Sequence, residues 1–219
     1  MPRMARLVIP GYPHHITQRG NRKQSTFFCD ADYLKYRSLL RANLPKSGVE
    51  IWAYCLLPNH VHLVAVPNES DGLARLLRVT HHRYARHINA RNNWQGHLWQ
   101  ERFHSFPMDE PHLLAAVRYV ELNPVRAGLC EKPEQWRWSS VHAHLGGTPD
   151  PLLNPAPMAD LVTEWATYLS APGCGPTDND LRWHTGTGRP AGNDAFIRKL
   201  ESLSGRRLRP LKPGPKPRS

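Results

Sequence analysis

His60-Val61-His62 sets two imidazoles at the i, i+2 spacing. In a β-strand alternate side chains share a face, so both rings would point to one side, close enough together for a single metal ion. Two half-buried strand histidines bonded to their neighbours would show the same spacing. A second pair, His142-Ala143-His144, lies in a Ser/Trp-rich segment before Gly146-Gly147. It has no strand scaffold and reads as structural. Farther along, Leu113, Val117 and Val120 recur at i, i+4, i+7 and mark the buried stripe of a helix. At about 100° per residue, Tyr119 falls nearly opposite Val117 and about 40° from Asn123. The expectation is a phenol and a carboxamide projecting together from a helix surface that does not face the core. The plainer alternative is an exposed Tyr and an Asn that ends the helix before Pro124. Taken together, two imidazoles and an amide oxygen make an open metal site, and a nearby phenol is a nucleophile suited to phosphorus. Glu121 lies about 200° around the helix from Tyr119 and is a poor candidate for its base.

Such groups need a rigid frame, and the first 147 residues have the pattern of one. Tyr12–Arg19, Val49–Leu56, His60–Val66 and Phe103–Met108 read as strands. A helix over 31–46, capped by Asp30, carries Tyr33, Leu34, Tyr36, Leu39, Leu40 and Leu44; a second starts at Ser70-Asp71-Gly72 and runs to about Asn89. Asp109 caps a third helix, opened by Pro111. Strand–helix–strand–strand–helix–strand is the α+β, ferredoxin-like or RRM-like arrangement, an antiparallel sheet with both helices on one face. The added tyrosine helix and a C-terminal extension follow it. The other sheet face is expected to be free, as in many nucleic-acid-handling proteins.

The 219 residues carry a net charge of +11. The excess is uneven: +8 over 1–147, −4 over 148–195 and +7 over 196–219. This divides the chain into a basic core domain (1–147), an acidic Pro/Gly-rich connector with a short helix (148–195) and a basic tail (196–219) ending in the Pro210–Arg218 run. Such an excess points to polyanionic partners. No stretch approaches 18 apolar residues, so no membrane partner is expected. Met1 to Arg6 lacks the apolar segment of a signal peptide, and the four cysteines form no Cys-x-x-Cys pair. A cytoplasmic, nucleoid-associated location is the expectation.

At this point a resemblance is plain. Leu57-Pro58-Asn59-His60-Val61-His62 resembles the HUH motif of single-tyrosine transposases. The run from Arg118 through Tyr119 and Asn123 to Gly128 resembles that family's tyrosine helix, and Gly20-Asn21 and Leu98–Phe103 also match it. The chain is similar to REP-associated tyrosine transposases, bacterial proteins acting on repetitive extragenic palindromic hairpins. The likeness spans roughly residues 5–145, and Gly188-Arg189-Pro190 and the basic end match more loosely.

The resemblance implies a metal-dependent single-stranded DNA endonuclease and strand transferase. Tyr119 would be the nucleophile, forming a 5′-phosphotyrosine, and His60, His62 and Asn123 would hold Mg²⁺ or Mn²⁺. Its partner would be single-stranded DNA with a REP-like hairpin; monomer and homodimer both stay open. Candidate DNA contacts are Arg19, Arg22 and Lys23 after the first strand, and Arg75, Arg78, Arg83 and Arg86 on the second helix. Trp99, Arg102, Arg118 and Arg126 complete the set. His14 or His15 could supplement the metal site or a phosphate contact, the one facing the helices being structural. A non-catalytic hairpin DNA- or RNA-binding module on the same fold is the rival reading, and a replication initiator or relaxase a third.

Overall fold

A computed structural model describes residues 6–171 and 175–209. The chain runs β1 (His14–Arg19), α1 (Asp30–Ser47), β2 (Val49–Leu57), β3 (His60–Pro67), α2 (Gly72–Asn92) and β4 (His104–Pro107). It continues through α3 (Glu110–Glu121), α4 (Asn123–Arg126) and α5 (Val141–His144). After these come α6 (Ala156–Ala159), α7 (Trp165–Ser170), α8 (Asp178–Thr187) and α9 (Asp194–Ser204). The strands order β2-β3-β1-β4, every neighbouring pair antiparallel. This is the α+β, ferredoxin-like order expected from the sequence. Among the described residues, no helix is long and apolar enough to cross a membrane.

The alternation of side chains divides the sheet into two chemically different faces. Ile16, Tyr54, Leu56, Val61, Leu63 and Ala65 point to one side and pack under α1 and α2, whose Tyr36, Leu40, Leu73, Leu77 and Tyr84 meet them. Leu34 does not share that stripe; it is half exposed. Nor does Asp30 cap α1. The cap residue is Cys29, and the buried Asp32 carboxylate accepts from the Phe28 and Cys29 backbone N–H while Arg91 clamps it at 2.5 Å.

The opposite face is not free, contrary to the sequence expectation. Ala53, Cys55, Leu57, Val64 and Phe106 are covered by Leu113, Val117 and Val120 of α3. The supposed connector completes this second core, burying Met158, Trp165, Leu169 and Leu181. Among the described residues it holds three short helices rather than one, and its backbone joins the domain directly: Ala191 N–H donates to Pro107 O, and Asp109 N–H donates to Ala191 O. The basic tail likewise starts inside α9, whose Leu200 packs with Leu7, Ile9 and Leu208. Phe196, Ile197 and Leu200 give α9 an apolar stripe that charge counting overlooks. The Pro210–Arg218 run lies outside the described residues.

Two histidines away from the polar end of the sheet couple stability to pH. His14 accepts from the Ile9 N–H and bonds Tyr12 O, and burial outweighs the latter bond to bring it down to about 4. His81, against the Tyr36 hydroxyl at 2.9 Å, is brought by burial to about 3. Both stay neutral in the fold, whereas the unfolded chain protonates them below about 6.5. Stability is therefore full above that value and falls as pH drops toward the folded ones. Urea unfolding at pH 5 should show a loss of up to about 2 kcal/mol per histidine relative to pH 7. His81→Gln should flatten part of that dependence; an unchanged slope in the variant would refute the assignment.

Candidate active site

The register of three strands assembles the site. His62 of β3 stands opposite Thr17 of β1 and Cys55 of β2, and His60 stands opposite Arg19 and Leu57. His15, two residues before Thr17, shares their face, and all three histidines point toward α3. Both imidazoles of the His-x-His pair thus lie on one side, with ring centroids 4.8 Å apart. The His62 and His15 rings stack 5.2 Å apart.

Tyr119 and Asn123 require a correction. They do project together, but toward the sheet and not away from the core, and each is only 8% exposed. The reason is that α3 lies flat on a sheet and is walled on another side by the extension. Its inward arc is wider than the Leu113-Val117-Val120 stripe. Ala116, Tyr119 and Asn123 form a parallel row at i, i+3, i+7. That row meets the polar end of the sheet, placing the phenol ring 5.5 Å from His62 and 6.1 Å from His15. Asn123 Nδ2 lies 3.4 Å from His62 Nε2.

Each imidazole is oriented from behind. His60 Nδ1 donates to Asn59 Oδ1 at 2.6 Å, which leaves the Nε2 lone pair free. His62 Nδ1 and His15 Nε2 are 3.0 Å apart, and with the proton on His62 its Nε2 lone pair faces Asn123. Burial keeps the rings neutral. It is the larger cause, ahead of the Arg19 charge, of the drop of His60 to about 4. Burial, then the neighbouring His60, His15 and Arg19, holds His62 well below the usual range. Burial also brings His15 to about 3, and among the described residues its Nδ1 has no hydrogen-bond partner. Among the described residues, no three His, Cys, Asp or Glu side chains gather closely enough to hold a metal by themselves. Two neutral imidazoles and a carboxamide nevertheless fit a divalent ion, because a half-turn of the Asn123 amide brings Oδ1 where Nδ2 stands.

These groups line a cavity of about 610 Å³ that also takes in Arg19, Arg126 and, from α8, Leu181, Arg182 and Thr185. Arg126 lies over the Tyr119 ring, 5.1 Å from its centroid, and pairs with Asp178 at 3.2 Å. His15 is the histidine that reaches the site, and His14 is the structural one. Arg182 was missed, because a lone cation in an acidic stretch gives no sequence signal.

Other candidates fall elsewhere. Arg78, Arg86 and Arg102 border a second groove of about 640 Å³ between α2 and residues 96–103. Arg83 borders a neighbouring depression on the same helix, and Arg22 and Lys23 are exposed on the turn after β1. Arg75 is engaged by Glu69 at 2.6 Å and by Ser47 O. Arg118 faces away from the cavity, packed over the Tyr168 ring. Trp99 cannot stack on a base as expected: it is buried beside Tyr36, Tyr84 and His81, and its Nε1 donates to His81 O. Trp94 is the exposed indole of that loop.

Of the second histidine pair, His144 is structural, as its setting suggests, and His142 is exposed. His144 Nδ1 contacts Glu121 Oε1 at 2.6 Å, and Ser140 Oγ and Trp165 Nε1 donate to the same buried carboxylate. Glu121 is thereby held in the second core, out of reach of the cavity. Glu121→Ala should cost about 3–5 kcal/mol of stability, since it strands the His144 and Trp165 ring nitrogens in an apolar interior, Ser140 Oγ keeping its bonds to the Tyr54 backbone. A melting temperature unchanged from wild type would contradict this.

Comparison with known proteins places these features in context. The family model described as Transposase IS200 like matches residues 10–123, which take in both histidines, the tyrosine and the asparagine. A Haemophilus influenzae protein provisionally designated a REP-associated tyrosine transposase is 26% identical over 140 residues, 54% of this chain and 80% of that protein. The REP-associated tyrosine transposase of Escherichia coli K12 is 26% identical over 94 residues, 42% of this chain and 54% of its own length. In fold, the chain resembles the structure of a REP-associated tyrosine transposase bound to a REP hairpin. That likeness has a TM-score of 0.57 at 22% identity and covers 68% of this chain and 89% of the other.

Proposed function

The chain belongs to the IS200-like transposase family, and on that premise we propose that it cleaves and rejoins single-stranded DNA at or beside REP-type hairpins through Tyr119. The observation that carries this reading is the convergence of His60, His62, Tyr119 and Asn123 in one cavity. The hairpin-bound structural relative supports the choice of DNA.

In this reading a strand lies in the cavity with its phosphates against Arg19 and Arg126. The Tyr119 oxygen attacks phosphorus while the P–O3′ bond breaks. The phenol gives up its proton, the departing 3′ oxygen takes one up, and the 5′ phosphate remains on the tyrosine. The bond energy is retained in that ester, so a later attack by a 3′-OH rejoins the strands with no nucleotide cofactor. His60 Nε2, His62 Nε2 and Asn123 Oδ1 would hold Mg²⁺ or Mn²⁺. When bound, the ion would polarise the phosphodiester and offset the charge that develops on its oxygens. Asn59 and His15 keep the two rings aimed into the cavity. Arg126 holds the Tyr119 ring from one side.

The test is a labelled hairpin oligonucleotide taken from palindromes repeated in the host genome and incubated with Mg²⁺ or Mn²⁺. The expected product is a protein–DNA adduct that survives denaturation, together with a released strand ending in 3′-OH. Hairpin binding with neither product would leave the protein as a binding module only.

A further inference from the structure

The helix α8 lies beyond the residues that match the family, yet it closes one side of the catalytic cavity. Its placement is built in. Leu181 is buried in the second core, and Thr177 caps the first turn by accepting from Asp180 N–H. His184 leans on Phe106 and His112, and the backbone at Ala191 continues the β4 edge. The side chains that α8 turns to the cavity differ in what they can offer. Leu181 is the anchor, and the Thr185 hydroxyl is already donated to Leu181 O. The two carboxylates nearby are also engaged, Asp178 with Arg126 and Asp180 with the Thr177 cap. Arg182 is exposed, and among the described residues it has no ion pair and no hydrogen bond. Arg19 lines the same cavity from the end of β1 and is likewise uncommitted. A cavity that holds two neutral imidazoles and two unpaired guanidinium groups suits an anion longer than one phosphate.

We propose that Arg182 of α8 binds a backbone phosphate of the unpaired DNA strand beside the scissile one, so that the C-terminal region supplies part of the substrate site in cis. This rests on the strand-cleavage reading above for its substrate. Arg182 is a positioning residue here: it fixes the strand's path across the cavity and takes no part in bond making.

The experiment compares wild type, Arg182→Ala and Arg182→Lys on two probes, a blunt hairpin and the same hairpin with a single-stranded extension. Arg137→Ala, which removes an exposed cation paired with Asp30, controls for charge. Arg182→Ala should weaken binding of the extended probe about tenfold, the scale of one charge-assisted hydrogen bond, and leave the blunt probe unchanged. The slope of log affinity against log salt should shrink by about 0.7, one single-strand phosphate contact. In cleavage, KM should rise while kcat holds, and Lys should restore part of the loss. An Arg182→Ala protein that binds the extended probe like wild type overturns the inference. So does an equal loss on both probes, or the same loss from Arg137→Ala. Absence of an adduct from the wild-type protein would instead strike at the cleavage reading, and the binding arms would still judge Arg182.

Discussion

Tyr119→Phe is expected to eliminate strand cleavage and the covalent adduct while hairpin binding stays near wild type. The change deletes one oxygen. Among the described residues the Tyr119 hydroxyl makes no hydrogen bond, and its ring is held by His15, His62 and Arg126 through contacts that a phenyl ring also makes. Stability should therefore move by no more than about 0.5 kcal/mol. The rate should fall by at least about 10⁴-fold, the scale on which enzymes lose activity when their nucleophile is removed. Gel assays for the adduct and for hairpin retardation, run on the same preparations, separate the two effects. Residual cleavage near the wild-type rate would show that Tyr119 is not the nucleophile. Among the described residues no other tyrosine lines this cavity to take its place.

Withdrawal of the divalent ion should have an effect of similar size. Chelation with EDTA is expected to stop cleavage, and added Mg²⁺ or Mn²⁺ to restore it, with hairpin affinity almost untouched. His60→Ala is the matching substitution. His60 is only partly buried and among the described residues its one side-chain hydrogen bond is to Asn59, so its loss leaves no large hole. His62→Ala is less clean, because it also strands His15 in the interior. Removing one of three donors should cut activity by about 100-fold or more, and excess Mn²⁺ should recover part of it. Titrating Mn²⁺ against activity in both proteins measures this directly. Cleavage that continues in EDTA would overturn the metal reading and leave the tyrosine chemistry to protein side chains.

How much of this was legible in the sequence follows from the range of the forces involved. Strand alternation and helix periodicity are local, and they carried the four strands, the first three helices and the shared face of His60 and His62. A one-residue spacing in a strand admits a single geometric outcome. The tyrosine helix was legible as a helix, but not in its facing. The apolar stripe indicates only the centre of the buried arc, and the arc's width depends on what packs against it. Tyr119 and Asn123 were paired correctly by the 3.6-residue turn and assigned to the wrong surroundings. Trp99 was misplaced for a related reason: an indole among basic residues looks the same in sequence whether it faces solvent or Tyr36.

The extension shows the sharpest division. Composition made residues 148–195 an acidic connector, because Pro, Gly and net charge record what a segment lacks. Widely spaced Met158, Trp165, Leu169 and Leu181 mean little until the open face of the sheet is there to receive them. By itself the sequence determined a ferredoxin-like sheet carrying a histidine pair, with a tyrosine and an amide one helical turn apart. Only the tertiary structure decided that these meet, that His15 stands behind them, and that α8 brings Arg182 to the same cavity. Periodicity acts within a few residues, whereas a site is made by burial and register between segments a hundred residues apart, which no local pattern encodes.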